Sequence, residues 1–567
     1  MSGFTFATLT PTAFLDRAAV SFAERTAVVD GDVRLTYTQL AERCDRLVSA
    51  LTSAGVQPGD RVASVCTNSH LQLELHHGVP LRGAVLVPMN IRLAAEEMIY
   101  ILEHSGASLL VATREFADRA SEVAASVGIP LVLEDAASAG AGSGVQDYET
   151  WLADADDAHP TRDRVQVDER SMISINYTSG TTGRPKGVMA HHRGAYLSAL
   201  AMAYHARLGT GSTYLWTLPM FHCNGWCFTW AVFAAGGTNL CLRAVDPDAI
   251  WTMLREQDVT HFCGAPTVLT MIAEAPGAAR LRDRVQVFVG GAPPSPALLA
   301  RVDRLGLDVT HLYGLTETFG PSVVNEWQPE WDDRPGEMVV RLRARQGIGN
   351  IASQPLRVLD AEGHDVPADG TTIGEIAASG NLVMLGYYND EAATQAVTRS
   401  GCFLTGDLGV MYADGYVELR DRSKDIIVSG GENVASVEVE QVLDSHPAVV
   451  ECAVVSMPDE KWGEVVVAYV TLRAGCRRPR RTSTRTCAGT WPATRCRAGS
   501  SSPICPRRRR ARSRRTSCAG GRPPRHIPPS RTDPSATRSR PERPARPPRG
   551  QPPRRAVRGQ ATPWRRQ

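Results

Sequence analysis

Short apolar runs alternate with amphipathic helical patterns along residues 27–110. In one such pattern, five apolar residues recur every three or four positions and share a helix face: Leu40, Cys44, Leu47, Val48 and Leu51. Thr36 and Gln39 have the spacing of a capping box at its start, and Gly55 follows as a stop. Asp60 opens a predicted strand, and similar strand-like runs lie at 82–88, 108–112, 171–177, 213–218, 238–242, 260–263 and 285–289.

This alternation of strands and helices predicts an α/β protein with layered, largely parallel sheets. The pattern changes between Ile373 and Leu419 to short strands separated by glycine turns, which predicts a β-rich region. No repeat of 20–50 residues is visible, so a solenoid or propeller is not expected.

Composition narrows the class of protein. The 43% hydrophobic and 22% charged content is typical of a globular protein. Trp226–Gly237, the most apolar segment, is too short to cross a bilayer and is expected in the core, so we expect no membrane span. The N-terminus lacks a basic region followed by an apolar run, which favours a cytoplasmic protein. His222, Cys223 and Cys227 do not match a zinc pattern, and the eight cysteines before residue 476 are expected to be buried thiols.

Charge divides the chain into two unlike parts. Residues 476–567 contain 27 Arg, no Lys, and only Asp533 and Glu542 as acids, a net charge of +25. The preceding 475 residues carry 35 basic and 58 acidic side chains, a net charge of −23. The body is therefore an acidic globular protein, followed by an Arg/Pro-rich tail with few large aliphatic side chains.

The strongest local pattern is Tyr177–Val188, with the sequence YTSGTTGRPKGV, which follows a strand-like run. Its glycines let backbone amides approach an anion closely, its hydroxyls add donors, and Lys186 adds positive charge. The spacing is not that of the Walker loop. The segment predicts a phosphate cradle, with these residues as candidates: Thr178, Ser179, Gly180, Thr181, Thr182, Gly183 and Lys186.

With five further motifs in the same order, the chain resembles the adenylate-forming superfamily, which includes acyl-CoA synthetases, peptide-synthetase adenylation domains and firefly luciferase. The resemblance covers about residues 10 to 475. The further motifs are Val289–Pro293 with Gly291, Ala292 and Pro293, then Tyr313–Thr318 with Gly314, then Thr405–Asp407, and finally Asp421–Asp425 with Ser429–Asn433.

The resemblance implies a role for each matching residue. Tyr313 would stack on adenine, Thr316 would contact phosphate, and Glu317 would hold Mg²⁺. Asp407 would grip both ribose hydroxyls, and Arg422 would also reach the nucleotide. Lys424 would lie at a hinge between a large and a small domain, and a loop with Gly430 and Gly431 would swing in for thioester formation. Taken alone, Asp407, Glu317 or Tyr313 fits a turn, surface or core residue equally well.

The acyl pocket is predicted from Pro219–Trp226, which resembles the family's aromatic and histidine segment. His222 would lie at the acyl carboxylate, although a core histidine is the alternative. Trp226, beside Gly225, would form the pocket floor and shorten the acyl tunnel, and Gly290 is a further candidate for the acyl pocket. This predicts short- or medium-chain acids, and the segment looks most like that of plant and bacterial enzymes activating such acids.

The chain departs from the family at its end. The family carries a lysine in a segment resembling P-K-T-x-T-G-K-x-x-K, but no lysine follows Lys461 here. In a displaced reading frame, codons permitted by Ile504–Arg515 encode L-P-K-T-A-T-G-K-I-Q-K, which contains that motif. This indicates a frameshift near Gly475–Cys476. The alternative is a functional Arg-rich arm for nucleic acid or a membrane surface.

Together these features predict an ATP-dependent acyl-CoA synthetase that uses ATP, Mg²⁺, coenzyme A and a small carboxylic acid, with no nucleic-acid partner. The expected fold is α/β, with a large N-terminal domain of layered sheets and a β-rich subdomain (1–420), a small α+β C-terminal lid (421–475), truncated here, and the tail (476–567) predicted to be disordered. The alternatives are an acyl-AMP ligase that loads a carrier protein and a nucleotide-binding pseudoenzyme. The sequence does not indicate the oligomeric state.

Overall fold

Four β-sheets organise the described residues of the protein in this computed structural model. The structure describes residues 6–137, 144–155, 164–178, 184–422, 427–429, 432–444, 446, 448–459 and 462–472. All of these lie within residues 1–500, one of the two units into which the chain divides. The prediction of a disordered tail at 476–567 therefore falls outside the described residues.

The first sheet has seven strands in the order β7-β6-β5-β3-β4-β8-β9. Its strands are β3 (Arg61–Val65), β4 (Val85–Pro88), β5 (Ala107–Ala112), β6 (Leu131–Leu133), β7 (Gln146–Asp147), β8 (Met172–Thr178) and β9 (Lys186–His191). All neighbours pair in parallel except β8 and β9, which are antiparallel. The β8–β9 hairpin therefore lies at one edge of the sheet and carries the predicted phosphate loop at its turn.

The second sheet has nine strands in the order β16-β15-β14-β13-β12-β10-β11-β1-β2. Its strands are β1 (Thr26–Asp30), β2 (Val33–Thr36), β10 (Thr213–Trp216), β11 (Thr238–Cys241), β12 (His261–Gly264), β13 (Val285–Val289), β14 (Leu307–Leu315), β15 (Gly320–Val324) and β16 (Ile348–Gly349). The strands from β1 to β14 in this order pair in parallel, and β2, β15 and β16 are antiparallel additions at the two edges.

Two smaller antiparallel sheets complete the described part. The β-rich region forms β17 (Arg357–Leu359), β18 (Gly374–Ala378), β19 (Thr398–Arg399), β20 (Cys402–Met411) and β21 (Val417–Arg422). The last sheet contains β22 (Ile427–Ser429), β23 (Glu432–Val434), β24 (Val449–Asp459) and β25 (Gly463–Leu472). The predicted combination of α/β layers with a β-rich region is confirmed.

Helices connect and cover the sheets. They are α1 (Thr12–Ser21), α2 (Tyr37–Ser53), α3 (His70–Leu81), α4 (Ala95–Ser105), α5 (Ala117–Val127), α6 (Tyr148–Ala153), α7 (His192–His205), the short α8 (Cys223–Trp226), α9 (Phe228–Ala235), α10 (Pro247–Glu256), α11 (Pro266–Glu274), α12 (Pro296–Arg304), α13 (Gly336–Ala344), α14 (Glu391–Ala396) and α15 (Ser436–Asp444). Three 3₁₀ turns occur at Arg114–Phe116, Thr316–Thr318 and Pro329–Trp331.

Local sequence explains the start of α2. Thr36 Oγ1 accepts a hydrogen bond from the Gln39 amide, and the Gln39 side chain accepts one from the Thr36 amide, which confirms the predicted capping box. The five apolar residues of its predicted face are all buried. Every residue of α3, against which α2 packs, is buried as well. The two helices therefore form part of the continuous interior of the large domain.

A charge network links the two large sheets. Asp30, at the end of β1, accepts hydrogen bonds from His70 Nδ1 at 2.8 Å and from two nitrogens of Arg243 at 3.0 and 2.8 Å. Arg243 also binds Glu134, beyond β6. Burial disfavours the His70 imidazolium, but its bonds to Asp30 and Glu149 outweigh that effect and raise the pKa of His70 to about 9.

The β24–β25 sheet has two unlike faces. On one face, Val454 and Val466 are buried in a small core with α15. On the other face, Val455, Met457 and Tyr469 are 43%, 51% and 53% exposed. Antiparallel sheets with one solvated face usually carry polar side chains there, so this exposed apolar face is unusual.

Candidate functional site

The phosphate side of the site begins at the β8–β9 hairpin. Thr178, the last residue of β8, pairs with Lys186, the first residue of β9. The hairpin therefore places a hydroxyl and an ammonium group at the two ends of the predicted phosphate loop. The loop residues themselves lie outside the described residues: Ser179, Gly180, Thr181, Thr182 and Gly183.

Lys186 and Glu317 are brought to the same place by a third residue, Tyr387. The Lys186 ammonium lies 4.8 Å from the centre of the Tyr387 ring, and the Tyr387 hydroxyl donates a hydrogen bond to Glu317 Oε1 at 2.8 Å. Burial, reinforced by the Glu317 carboxylate, raises the pKa of Tyr387 well above its usual range, so the hydroxyl keeps its proton. Two predicted catalytic residues thus meet on one tyrosine.

Thr316, beside Glu317, contacts the predicted acyl segment. The Cys223 thiol donates a hydrogen bond to Thr316 Oγ1 at 3.3 Å. Burial is the main cause that raises the pKa of Cys223 to about 12, so this thiol stays protonated at neutral pH. The Thr316–Thr318 turn is therefore the junction between the phosphate side and the acyl side of the site.

The acyl segment folds as a left-handed turn. Its backbone φ angles are 42° at Cys223, 44° at Asn224, 57° at Gly225, 52° at Trp226 and 64° at Cys227. Only one of these residues is glycine, whereas the left-handed conformation costs other residues about 1–2 kcal/mol each. A run of this kind persists only where surrounding packing holds it, and such strain is concentrated at functional sites.

Buried amide side chains hold the turn and the segment before it. Asn224 Oδ1 accepts hydrogen bonds from Ser174 Oγ at 2.8 Å and Asn176 Nδ2 at 2.7 Å, which ties the turn to β8. Asn68 donates to the carbonyls of Trp216 and Leu218 and accepts from the Met220 amide. The acyl segment is consequently fixed to the strand that leads into the phosphate loop.

His222 comes directly before the turn. Its side chain is exposed to solvent, yet the surrounding protein desolvates it enough to lower the pKa of its imidazole. The ring is therefore neutral at pH 7 and presents one N–H donor and one nitrogen acceptor.

Trp226 and Gly290 are in direct contact. A Cβ added at Gly290 would lie 2.9 Å from Trp226 Cη2 and 3.1 Å from the Leu312 carbonyl oxygen, so no larger residue fits there without movement. Trp226 itself is 6% exposed. Two residues predicted separately for the acyl pocket are thus adjacent in space, and a glycine after β13 makes room for the indole.

The nucleotide side of the site centres on Tyr313 and Asp407. The Tyr313 hydroxyl donates a hydrogen bond to Asp407 Oδ2 at 2.7 Å, and Arg422 Nε lies 3.3 Å from Asp407 Oδ1. Burial, with Asp407 adding to it, raises the pKa of Tyr313 well above its usual range. The three residues predicted to bind adenosine therefore form one cluster, in which the Asp407 side chain is only 5% exposed.

Glycines are also found on the nucleotide side of the site. A Cβ at Gly314 would lie 2.0 Å from the Gly320 carbonyl oxygen, so the pairing of β14 with β15 requires glycine at this position. Gly291, Ala292 and Pro293 follow β13; Gly291 and Ala292 are exposed, and Pro293 is half-buried. The predicted hinge and loop residues lie outside the described residues: Lys424, Gly430 and Gly431.

The carboxylate of Glu317 suits a magnesium ion bound together with nucleotide. Within the described ranges, no group of three or more His, Cys, Asp or Glu side chains converges as a metal site. Mg²⁺ is commonly held by one or two carboxylates plus substrate phosphates, so a single carboxylate beside a phosphate loop fits it. Oε1 of Glu317 is engaged by Tyr387, and no described residue is seen to bind Oε2.

Sequence reasoning missed Tyr387 and the partners of the acyl turn. Tyr387 lies in Leu385–Tyr388, and neither its spacing nor a hydrophobic period distinguishes it from a core tyrosine. The left-handed turn gave only a weak signal, because of its five residues only Asn224 and Gly225 favour positive φ. The expectation of eight buried cysteines holds for seven, while Cys452 is half-buried.

Two family models match the chain. The family model "AMP-binding enzyme" matches residues 15–388, and "AMP-binding enzyme C-terminal domain" matches residues 438–491. The second match extends beyond the residue at which we predict the frameshift. No helix among the described residues is long and apolar enough to cross a membrane.

Individual relatives are CoA ligases. The chain is 42% identical over 489 residues to a peroxisomal acetate/butyrate–CoA ligase of Arabidopsis thaliana, covering 83% of this chain and 86% of that protein. It is 43% identical over 493 residues to an acetate–CoA ligase of Humulus lupulus, with 82% and 86% covered. The crystal structure of ATP-bound MatB from Rhodopseudomonas palustris matches with a TM-score of 0.73 at 26% identity, covering 84% and 92%. This chain therefore belongs to the family of AMP-binding enzymes and is by family an acid–thiol ligase.

Proposed function

We propose that this protein activates a short- or medium-chain carboxylic acid with ATP and transfers the acyl group to the thiol of coenzyme A. The observation that carries the proposal is the position of Thr316 and Glu317. Glu317 is linked through Tyr387 to Lys186 at the phosphate loop, and Thr316 is linked to Cys223 in the acyl turn. A carboxylate and a triphosphate held on these two sides would meet at Thr316.

In the first half-reaction, an oxygen of the acid attacks the α-phosphorus of ATP. The bond from that phosphorus to the bridging oxygen breaks, and pyrophosphate leaves with the electron pair. Both reactants are anionic, so catalysis depends on positioning and on cations and donors around the phosphates. Lys186 supplies positive charge, and Thr178 and Thr316 supply hydroxyl donors. Mg²⁺ held by Glu317 would neutralise charge on the leaving pyrophosphate.

The adenosine moiety is assigned to the Tyr313 cluster. The ring of Tyr313 offers a stacking surface for adenine, and Asp407 offers two carboxylate oxygens to the ribose hydroxyls. Because Tyr313 and Arg422 already contact Asp407, these groups are arranged before the nucleotide arrives. Such preorganisation reduces the entropy lost on binding.

We assign the carboxylate of the acid to the side of the site at His222. A neutral imidazole can donate its N–H to the substrate carboxylate without neutralising the attacking oxygen. The contact between Trp226 and Gly290 supports a floor that limits the length of the acyl chain. Acetate and butyrate, which appear in the name of the Arabidopsis relative, would fit a pocket of this kind.

In the second half-reaction, the sulfur of coenzyme A attacks the acyl carbon, its proton is lost, and the bond to AMP breaks. We assign the loop with Gly430 and Gly431 to this step, with the hinge at Lys424 between a domain at 1–420 and a lid at 421–475. These assignments rest on the resemblance of the motifs. A cytoplasmic location is proposed on the same sequence basis as before.

Isotope exchange tests the first half-reaction directly. Full-length protein would be incubated with ATP, labelled pyrophosphate, Mg²⁺ and unbranched acids from two to ten carbons. Acid-dependent exchange that falls off beyond medium chains is expected: robust in a version returned to the displaced frame after Gly475, and slow or absent in the chain as encoded. Acid-dependent AMP release with coenzyme A but not with a carrier protein would then distinguish the synthetase from a carrier-loading ligase.

The absence of lysine after Lys461 favours a second candidate, a nucleotide-binding pseudoenzyme. Such a protein would bind ATP or an acyl-adenylate at the Tyr313 cluster and show no exchange with any acid. We further propose that residues after 475 are read in a displaced frame, and that the encoded chain is impaired for this reason. Sequencing the gene across codon 475 tests that point independently of activity.

A further inference from the structure

The segment Met384–Tyr388 lies along the outer edge of β9. The Met189 amide donates to the Gly386 carbonyl at 3.0 Å, the Leu385 amide donates to the Met189 carbonyl at 2.9 Å, and the Tyr388 amide donates to the Gly187 carbonyl at 2.7 Å. Val188 and Tyr387 form an antiparallel bridge. The segment therefore extends the seven-stranded sheet at the hairpin that carries the phosphate loop.

The same segment holds Glu317 at two points. The Met384 amide donates to the Glu317 carbonyl at 2.8 Å, and the Tyr387 hydroxyl donates to Glu317 Oε1 at 2.8 Å. Both the backbone and the carboxylate of Glu317 are thus attached to one short stretch of chain. Tyr387 is 7% exposed, so its ring has little freedom to leave this position.

Lys186 and Glu317 carry opposite charges at the face and the hydroxyl of Tyr387, yet among the described residues these two form no ion pair within 4.0 Å. The ammonium group lies over the face of the ring, while the carboxylate lies at its hydroxyl. If the two groups met, each would neutralise the other, and neither would be free for phosphate or metal. An aromatic ring can contact both charges without joining them.

We propose that Tyr387 is a positioning residue that keeps Lys186 and Glu317 apart and turns one oxygen of Glu317 away for Mg²⁺. The inference rests on the proposed function, because it assumes that ATP and its metal bind between these residues. It adds a residue that carries no charge itself and belongs to none of the motifs identified in the sequence. A tyrosine that merely filled the core would affect stability but not the dependence of nucleotide binding on Mg²⁺.

The test uses titration calorimetry on the full-length chain, with ATP as the probe, over a range of Mg²⁺ concentrations and in EDTA. Tyr387→Phe keeps the ring over Lys186 and removes only the hydroxyl. Tyr387→Leu removes the ring as well. Tyr388→Phe is the matched control. The centre of this neighbouring ring lies 5.9 Å from the centre of the His104 ring, and among the described residues Tyr388 forms no hydrogen bond with Glu317.

We expect Tyr387→Phe to raise the Mg²⁺ concentration needed for half-maximal ATP binding by about tenfold, because a hydrogen bond to a charged group is lost. Its affinity for ATP in EDTA should stay within about twofold of the wild type, since Lys186 keeps its ring contact. Tyr387→Leu should weaken binding in EDTA too, because Lys186 can then pair with Glu317. Tyr388→Phe should behave as the wild type in both conditions.

An unchanged Mg²⁺ requirement in Tyr387→Phe would overturn the inference while leaving the proposed function intact. An equal loss with and without Mg²⁺, accompanied by a lower melting temperature, would also overturn it, because that is the pattern of a purely structural residue. If Tyr387→Leu does not fold, the Phe variant alone decides. Absence of ATP binding in the wild type would overturn both the inference and the proposed function.

Discussion

The hydroxyl of Tyr313 donates a 2.7 Å hydrogen bond to Asp407 Oδ2, although 94 residues separate the two in sequence. Tyr313 lies in β14, the last of the parallel strands in the nine-stranded sheet, and Asp407 lies in β20 of the β-rich sheet. The bond therefore joins the large α/β part to the β-rich part at the predicted nucleotide-binding site. The carboxylate proposed to bind the ribose is therefore also the one that links the two sheets.

Replacing Asp407 should weaken nucleotide binding strongly. Asp407→Ala removes charge-assisted bonds to the ribose, each worth about 1.5–3 kcal/mol, so we expect a loss of at least tenfold in AMP or ATP affinity. Tyr313→Phe keeps the stacking ring and should lose much less. Calorimetry with AMP on both variants measures the difference, and equal losses would show that the assigned ribose contact is wrong.

Replacing Trp226 should lengthen the preferred acid. Because Trp226 has a φ of 52°, glycine adopts this backbone without strain, and Trp226→Gly should fold. A buried methylene contributes about 0.8 kcal/mol, so each extra carbon accommodated should change relative kcat/KM by about fourfold. Exchange rates with acids of two to ten carbons give the profile.

Cys227→Gly is the control for this variant. Cys227 has a φ of 64° and is fully buried, so glycine relieves the same kind of backbone strain without removing the indole. Its chain-length profile should match that of the wild type. A profile unchanged in Trp226→Gly would remove Trp226 from the pocket floor.

Folding stability should be greatest near pH 6.5. The pKa of His70 is raised to about 9 in the folded protein, so its charged form stabilises the fold. This stabilisation is fully present below pH 6.5 and is lost as the pH rises towards 9. Burial lowers the pKa of His76 and His311 to about 4, so the unfolded chain binds more protons and stability falls below pH 6.5. Melting temperatures from pH 4 to 10 would show both slopes.

His70→Gln separates the two effects. This variant removes the titrating group beside Asp30 and Glu149 but leaves the neutral buried histidines in place. The alkaline slope should become shallower, by up to a few kcal/mol over the interval, and the acid slope should persist. An alkaline slope that survives unchanged would assign it to other groups.

The chain as encoded should form acyl-adenylate slowly or not at all. Without a lysine between carboxylate and triphosphate, we expect a loss of roughly 10²–10³ in rate, by analogy with a lost oxyanion donor. A version returned to the displaced frame after Gly475 supplies that lysine. Pyrophosphate exchange should be robust only in the recoded protein.

The paired proteins also differ in a property independent of catalysis. Val455, Met457 and Tyr469 are exposed on the β24–β25 sheet of the encoded chain. If the recoded segment completes the lid, it should cover this face, and binding of a hydrophobic dye should fall. Equal exchange by both proteins would show that the encoded tail already supplies what the lysine was thought to supply.

The sequence predicted the layered fold because hydrophobic period and capping are local properties. The capping box at Thr36 and the buried face of α2 are examples. The motifs also singled out residues that are distant in sequence but lie together in the fold, since Tyr313 and Asp407 are hydrogen-bonded. Tyr387 was not predicted, because its role depends on a pairing between residues almost 200 positions apart that no local pattern encodes.

In the left-handed turn at residues 223–227, substitutions that increase folding stability would also weaken the contacts that position the acyl pocket. Glycine at Cys223 or Asn224 would relieve about 1 kcal/mol or more of backbone strain at each position. It would also remove side chains that hold Thr316 and β8 in register with the pocket. Selection for heat resistance alone should therefore accumulate glycines in this turn, and the most heat-resistant descendants should be among the least selective for their acid.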